Sequence, residues 1–197
     1  MATLSKYSTG FADGMFDAVW MQGGVQGEYL PDPSTRYSLE GGVSAEPTAL
    51  FGGCAVSLAI AGKGQMVTGA AVTKATSAAN LDGFVVSSKM YHAVVEAQNT
   101  APQVAQGDGV HFARLGSRVR LYVAVDPAFA ETLYGASSDT KVAYDVTAQK
   151  LVASGGTAVD LAGVKVESVF SDGIVLNYDA TNDRVTFGRG PVAVIRI

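Results

Sequence analysis

The residue types able to do chemistry are few in this chain, and they stand apart from one another. Two histidines, His92 and His111, lie nineteen residues apart, so a zinc site would have to draw its other ligands from remote segments. The carboxylates Asp108, Asp126, Asp145 and Asp179 fall at turn positions close to Gly, Pro or Thr. There a short acid hydrogen-bonds local backbone N–H groups, which accounts for each of them without a general acid/base pair. Cys54 is the single cysteine. It excludes an internal disulfide and, among Phe51, Ala55 and Val56, reads as a small buried apolar side chain rather than a nucleophile. Gly116-Ser117 is not a strand-to-helix nucleophile elbow, and Gly52-Gly53 and Gly62-Lys63-Gly64 make neither a phosphate loop nor a dinucleotide fingerprint. The expectation is a protein that is not an enzyme and uses no metal and no cofactor.

The chemistry that remains is recognition. Val119, Leu121, Val123 and Val125 alternate with Arg118, Arg120 and Tyr122, the period-two pattern of a strand with one face sealed and the other free. With Arg114 just upstream, Arg118 and Arg120 are predicted to share a face suited to an acidic partner, since Arg pairs well with carboxylates. Arg184, Arg189 and Arg196 form a second candidate set. Phe11, Phe16 and Trp20 are the candidate apolar anchors, in a stretch too rich in Gly to form a regular element. Aromatics of this kind dominate interface energetics where they are buried.

These residues need a scaffold, and the pattern around them is that of β structure. Residues 1–50 are expected to form an extended N-terminal arm and loop, broken by Leu30-Pro31-Asp32-Pro33, and residues 51–197 a β-rich domain. Within the domain, Phe51 to Lys74 reads as two strands about a Gly-rich turn, and Leu81 to Val86 as the start of another. Tyr91 to Ala97 fits a strand or a short helix. Val110–Ala113 and Arg118–Val125 are expected to pair as a hairpin across Gly116. Asp126-Pro127 opens one short helix that stops at Gly135. Tyr144-Asp145-Val146-Thr147 to Val152 is echoed by Tyr178-Asp179-Ala180-Thr181 to Thr186, and each copy reads as strand, turn, strand. The run Pro191 to Ile197, apolar on both faces, requires cover on both sides. The fold class is therefore all-β, a mainly antiparallel small barrel or sandwich with an N-terminal arm and one short helix.

Composition narrows the partners. Charged residues are only 16% of the chain against 48% hydrophobic, few enough to place part of the surface against other chains. The net charge of −4 argues against nucleic acid, which needs a basic field to displace counterions. No apolar run is long enough to span a membrane, and Met1 to Ser8 has no secretory pattern, so use in water without export is expected.

Taken in order, several motifs resemble those of the structural cement, or head decoration, proteins of tailed bacteriophages. They are Gly10-Phe11-Ala12-Asp13-Gly14, Phe51-Gly52-Gly53-Cys54-Ala55-Val56, and Gly107-Asp108-Gly109-Val110 leading to Leu115-Gly116-Ser117-Arg118-Val119-Arg120. The Tyr144 to Val152 hairpin and the ending Ala193-Val194-Ile195-Arg196-Ile197 complete the series. The chain exceeds the short members by the stretch Asp160 to Asp179 and the Leu30–Pro47 loop. The resemblance implies a homo-oligomer, dimer or trimer, made in the host cytoplasm and carried on the outer surface of the virion head. There it would bind the major capsid protein, bridge capsomers and resist DNA pressure, with no active site. Two other readings share the pattern: another β-rich virion protein, of the tail tube or head completion, and a carbohydrate-binding module using Trp20, Tyr29, Tyr37 and Tyr91.

Overall fold

A computed structural model describes residues 24–30, 32–35, 37–62, 69–87, 101, 103–156 and 158–197. Its elements are β1 (Tyr29–Leu30), β2 (Leu39–Ser44), β3 (Ala55–Ile60), β4 (Ala70–Lys74), β5 (Gly83–Val85), β6 (Gly109–Arg114), β7 (Arg120–Ala124), α1 (Pro127–Leu133), β8 (Val142–Asp145), β9 (Lys150–Ala153), β10 (Val159–Asp160), β11 (Lys165–Asp179) and β12 (Arg184–Arg196). Strands β2-β4-β3-β5-β6 close a barrel, β1-β7-β12-β11 form a four-stranded sheet, and β10-β8-β9 form a three-stranded one. The all-β class with one short helix is the observed one. All strand pairings are antiparallel except β2 with β4. No helix among the described residues is long and apolar enough to cross a membrane.

Of the barrel strands, β5 is buried throughout, β3 is buried at its start and exposed at its end, and β2, β4 and β6 carry exposed or half-exposed positions beside buried ones. Val56, Val85 and Phe112 belong to one core inside the barrel with Val72 and Val110. Their chain neighbours Ala55, Phe84 and Ala113 point the other way, into a second core with Leu121, Tyr144, Leu151 and Ile195. Period two thus divides β3, β5 and β6 between two cores. Inside the barrel Phe112 and Val72 fill the space over Gly42, where an added Cβ would stand 2.8 Å from Val72 Cγ2 and 3.2 Å from the Phe112 ring. The second core receives α1 through Phe129, Ala130 and Leu133. Asp126 starts that helix by accepting the Ala128 and Phe129 amides at 3.0 and 3.1 Å, with Pro127 in the first turn, an N-cap that satisfies donors the helix itself cannot. The terminal strand is covered as expected, with Val192, Ala193, Val194 and Ile195 all buried.

The internal echo folds as two hairpins that share one device. Asp145 Oδ1 accepts the Thr147 and Ala148 amides, and Asp179 Oδ1 accepts the Thr181 and Asn182 amides. Each turn then ends on a non-glycine residue in the left-handed region, Gln149 at φ 54° and Asp183 at φ 44°. The side chain of that residue reaches back to the tyrosine hydroxyl of its own hairpin and outward to a backbone N–H near the barrel. Gln149 Oε1 lies 3.3 Å from Tyr144 Oη, whose proton goes to Gly53 O at 2.7 Å, and accepts the Ala55 amide at 2.8 Å. Asp183 Oδ1 accepts Tyr178 Oη at 2.8 Å and the Ala49 amide at 3.0 Å. Both hairpins therefore grip the loop 49–55 that leads into β3, one at each end.

The structure corrects three expectations. First, β6 and β7 are not a hairpin: β6 pairs with β2 and β5 in the barrel, whereas β7 pairs with β1 and β12. Gly116 at φ 87° and Arg118 at φ 62° turn the chain from one sheet to the other. The Leu115 amide donates to Asp82 O on the barrel side, and the Arg118 amide to Ile197 O on the other. Second, Arg118 precedes the strand and has no strand face. Third, β structure begins before residue 51, because β1 and β2 belong to the sheet and the barrel. Residues 24–28 are wedged in with them: Gly27, at φ 84°, lies so close to Gly52 that a Cβ would fall 2.2 Å from its Cα. Gln26 is 1% exposed, and its Oε1 accepts the Leu176 amide at 2.8 Å.

Candidate partner-binding surface

The residues proposed for recognition are distributed by strand register. In the four-stranded sheet Arg120 of β7 stands opposite Arg196 of β12, and Arg196 opposite Lys165 of β11. Directly opposed residues lie on one face of a sheet, so these cations form a row across neighbouring strands. Arg118 lies beside the row, exposed, its amide bonded to the carbonyl of Ile197, next to Arg196. The surface thus unites part of both arginine sets and adds Lys165.

Like charges set opposite one another repel, and the chain supplies acids to offset them. The pairing of β11 with β12 slips between Val166 and Ser168, leaving Glu167 as the extra residue of a bulge, a device that re-aims a side chain. Glu167 pairs with Arg196 and stands 3.6 Å from Arg120 Nη1. Asp32 lies 4.0 Å from Arg120 Nη2, and Asp139 is 2.8 Å from Lys165 Nζ. Hydrogen bonds from the Ser34 side chain and amide hold the Asp32 carboxyl below its usual range, helped by Arg120 and Arg196. Arg120 keeps Nε buried without a hydrogen-bond partner. Half-exposed pairs of this kind are worth about 0–1 kcal/mol each, so exchanging one acid for another from a partner costs little. Such a row sets orientation, association rate and discrimination more than affinity.

Other candidates stand elsewhere. Arg114 is on β6 of the barrel, paired with Glu40 of β2 at 2.7 Å. Arg184 faces Asp179 at 4.0 Å at a hairpin end, and Arg189 pairs with Asp172 at 3.0 Å. Phe11, Phe16 and Trp20, like His92, Tyr91 and the segment to Ala97, lie outside the described residues. Asp126, Asp145 and Asp179 serve the turns expected of them, and Asp108 sits in the turn before β6, its carbonyl accepting the Ser44 amide. Cys54 is fully buried, and burial pushes its thiol up to about 12, the behaviour of a structural thiol. Among the described residues no group of three or more His, Cys, Asp or Glu is placed to hold a metal ion.

Sequence reasoning missed Lys165, Glu167 and Asp32, because cross-strand register and a bulge are not written in any one segment. It also missed Gln26. Comparison with family models, with curated proteins and with solved structures finds no match to this chain.

Proposed function

We propose that the chain is a structural protein of a tailed-bacteriophage virion. It binds the outer surface of the icosahedral head as a homo-oligomer and bridges major capsid subunits against the pressure of packaged DNA. The observation that carries this reading is the row Arg120, Arg196 and Lys165, with Arg118 beside it, on a sheet braced by two cores and by both hairpin ties. A clamp must transmit force without yielding, and its contacts at each joint can be modest because several joints act together. Carboxylates that can be exchanged for those of a neighbour suit such joints.

The test is co-sedimentation of the purified chain with expanded heads of its source virus stripped of their own decoration, beside unexpanded procapsids. Saturable binding to expanded heads and not to procapsids is expected. Binding to neither overturns the proposal.

A further inference from the structure

Between the two tied hairpins lies an open cleft of about 530 Å³, within the range of sites that hold small ligands or short peptide segments. Residues 146–150 of the β8–β9 hairpin and residues 175–178 of β11 line it, together with Phe51, Lys74 and Ala124. The chain as a whole carries 18 acidic against 14 basic residues, yet the cleft lining contains two lysines, Lys74 and Lys150, and no Asp or Glu.

The lysines differ in how far they are committed. Lys74 Nζ donates to Thr48 Oγ1 at 2.8 Å and sits 4.3 Å from the Tyr178 ring centroid. An ammonium has three donors, and the bond to Thr48 uses one of them. Glu46 accepts the Lys74 amide, and Asp183 is held by Ala49 and Tyr178; neither acid lines the cleft. Lys150 extends from β9, on the hairpin that faces β11. Gln149 is occupied by its ties, whereas Thr147 and Asn177 are exposed. Val146, Val175 and Ala124 supply apolar contact.

The wall on the other side is an edge strand. β11 is the last strand of its sheet, and the turn at residues 24–28 already pairs with part of that edge. Val25 makes a parallel bridge to Ile174, the Gln26 amide donates to Ile174 O at 2.9 Å, and Gln26 Oε1 takes the Leu176 amide. The stretch that lines the cleft, Asn177 and Tyr178, follows directly. Sheet edges recruit extended chains through main-chain hydrogen bonds, while flanking pockets choose the side chains.

We propose that this cleft is a binding site for a short, extended acidic segment of a polypeptide, its carboxylates taken by Lys150 and Lys74 and its backbone laid along β11 at Tyr178, the next residue after Ile174 and Leu176 whose main chain faces the outer edge. The proposal does not depend on attachment to a virion head, and its test uses the purified chain alone. The full chain, isotope-labelled, is titrated at low salt with tetraglutamate capped at both ends, with capped tetraglutamine, and with glutarate. The expected result is saturable shifts of amides in residues 146–150 and 175–178 with tetraglutamate only. Lys150→Gln and, independently, Asn177→Asp should each weaken that binding by about tenfold, the scale of one charged contact. The second variant leaves every described tie intact, so it keeps the test decisive if the first fails to fold. Absence of saturable shifts, equal response to tetraglutamine, or shifts gathered around Arg118, Arg120 and Arg196 overturns the site. Glutarate binding as tightly as the peptide overturns the polypeptide assignment.

Discussion

The hydroxyl of Tyr144 donates to the carbonyl of Gly53 at 2.7 Å, in a place where both residues are buried. Tyr144 is fully enclosed, its ring edge-on to Phe84 at 5.1 Å, and burial raises its phenol well above the ordinary value. The contact joins the three-stranded sheet to the loop that enters the barrel.

Tyr144→Phe is therefore expected to destabilise the protein by about 1–3 kcal/mol, the cost of stranding a buried carbonyl. Urea denaturation measures it. A loss much below that range would show that Gly53 O finds another donor.

The matching tie in the second hairpin is ionisable, and this gives it a pH dependence that the first lacks. Hydrogen bonds from the Ala49 amide and then the Tyr178 hydroxyl lower the Asp183 carboxyl from its usual 3.8, against the effect of burial and with help from Lys74. A carboxyl whose folded pKa lies below its unfolded one stabilises the fold above the unfolded pKa, and that contribution is lost as pH falls through the folded value. Asp32 and Asp179 are lowered as well, so the acid limb should begin below about pH 4. Asp183→Asn keeps an oxygen acceptor and removes the charge. Its melting temperature is expected to fall less steeply than that of the parent between about pH 4 and pH 2, as followed by circular dichroism. An unchanged slope would assign the acid limb to other carboxylates.

How much of this was legible beforehand divides along the range of the interactions. The Tyr144–Val152 and Tyr178–Thr186 hairpins, the α1 cap at Asp126 and the sealed face of β7 rest on neighbours in sequence, and each stands where the residues put it. The supposed hairpin across Gly116 fails because two alternating segments joined by a Gly turn fit a pairing or a crossing between sheets equally well. The outcome was decided by partners far away, Asp82 for one arm and Ile197 for the other. The cation row failed to show for the same reason. Arg120, Arg196 and Lys165 become neighbours only through the β7-β12-β11 register, and Glu167 joins them only through a bulge.

Two glycines with nearly the same backbone angle separate conformational cost from packing cost. Gly116 has φ 87° and nothing within 4 Å of where a Cβ would stand, while Gly27 has φ 84° and the Gly52 backbone at 2.2 Å. Gly116→Ala should cost about 1–2 kcal/mol, the penalty of an L side chain in the left-handed region. Gly27→Ala adds a clash with main chain that cannot rotate away, and a loss of about 3 kcal/mol or more is expected. Equilibrium unfolding of both variants checks the difference. Equal losses would mean that the 24–28 segment lifts from Gly52 at little cost, and the wedge that seats Gln26 would then contribute little to the fold.

The proposed attachment is best probed where reversal of charge leaves the fold alone. Arg120 and Arg196 are poor choices, because each is bound to Glu167, and an acid in either place would repel it across the strands. Arg118 and Lys165 are better: both are exposed, and Asp139, the acid beside Lys165, is itself well exposed, so repulsion there is screened by water and relieved by rotation, unlike that at the more enclosed Glu167. Arg118→Glu with Lys165→Glu should weaken co-sedimentation with expanded heads, and the deficit relative to the parent should shrink as salt rises. The screening length falls from about 10 Å at 0.1 M to about 3 Å at 1 M, so surface charges cease to feel a partner at that distance. Removal of residues 1–23 separates the aromatic anchors from this row. The cut must stop before Gly24, whose carbonyl accepts the Ile174 amide at 3.2 Å. If Phe11, Phe16 and Trp20 grip the head, the truncated chain melts as the parent does yet sediments weakly at every salt concentration. A deficit independent of salt in the truncation, beside a salt-dependent one in the charge variant, would assign apolar grip and electrostatic orientation to two different parts of the chain. Unchanged binding in both would remove both surfaces from the attachment.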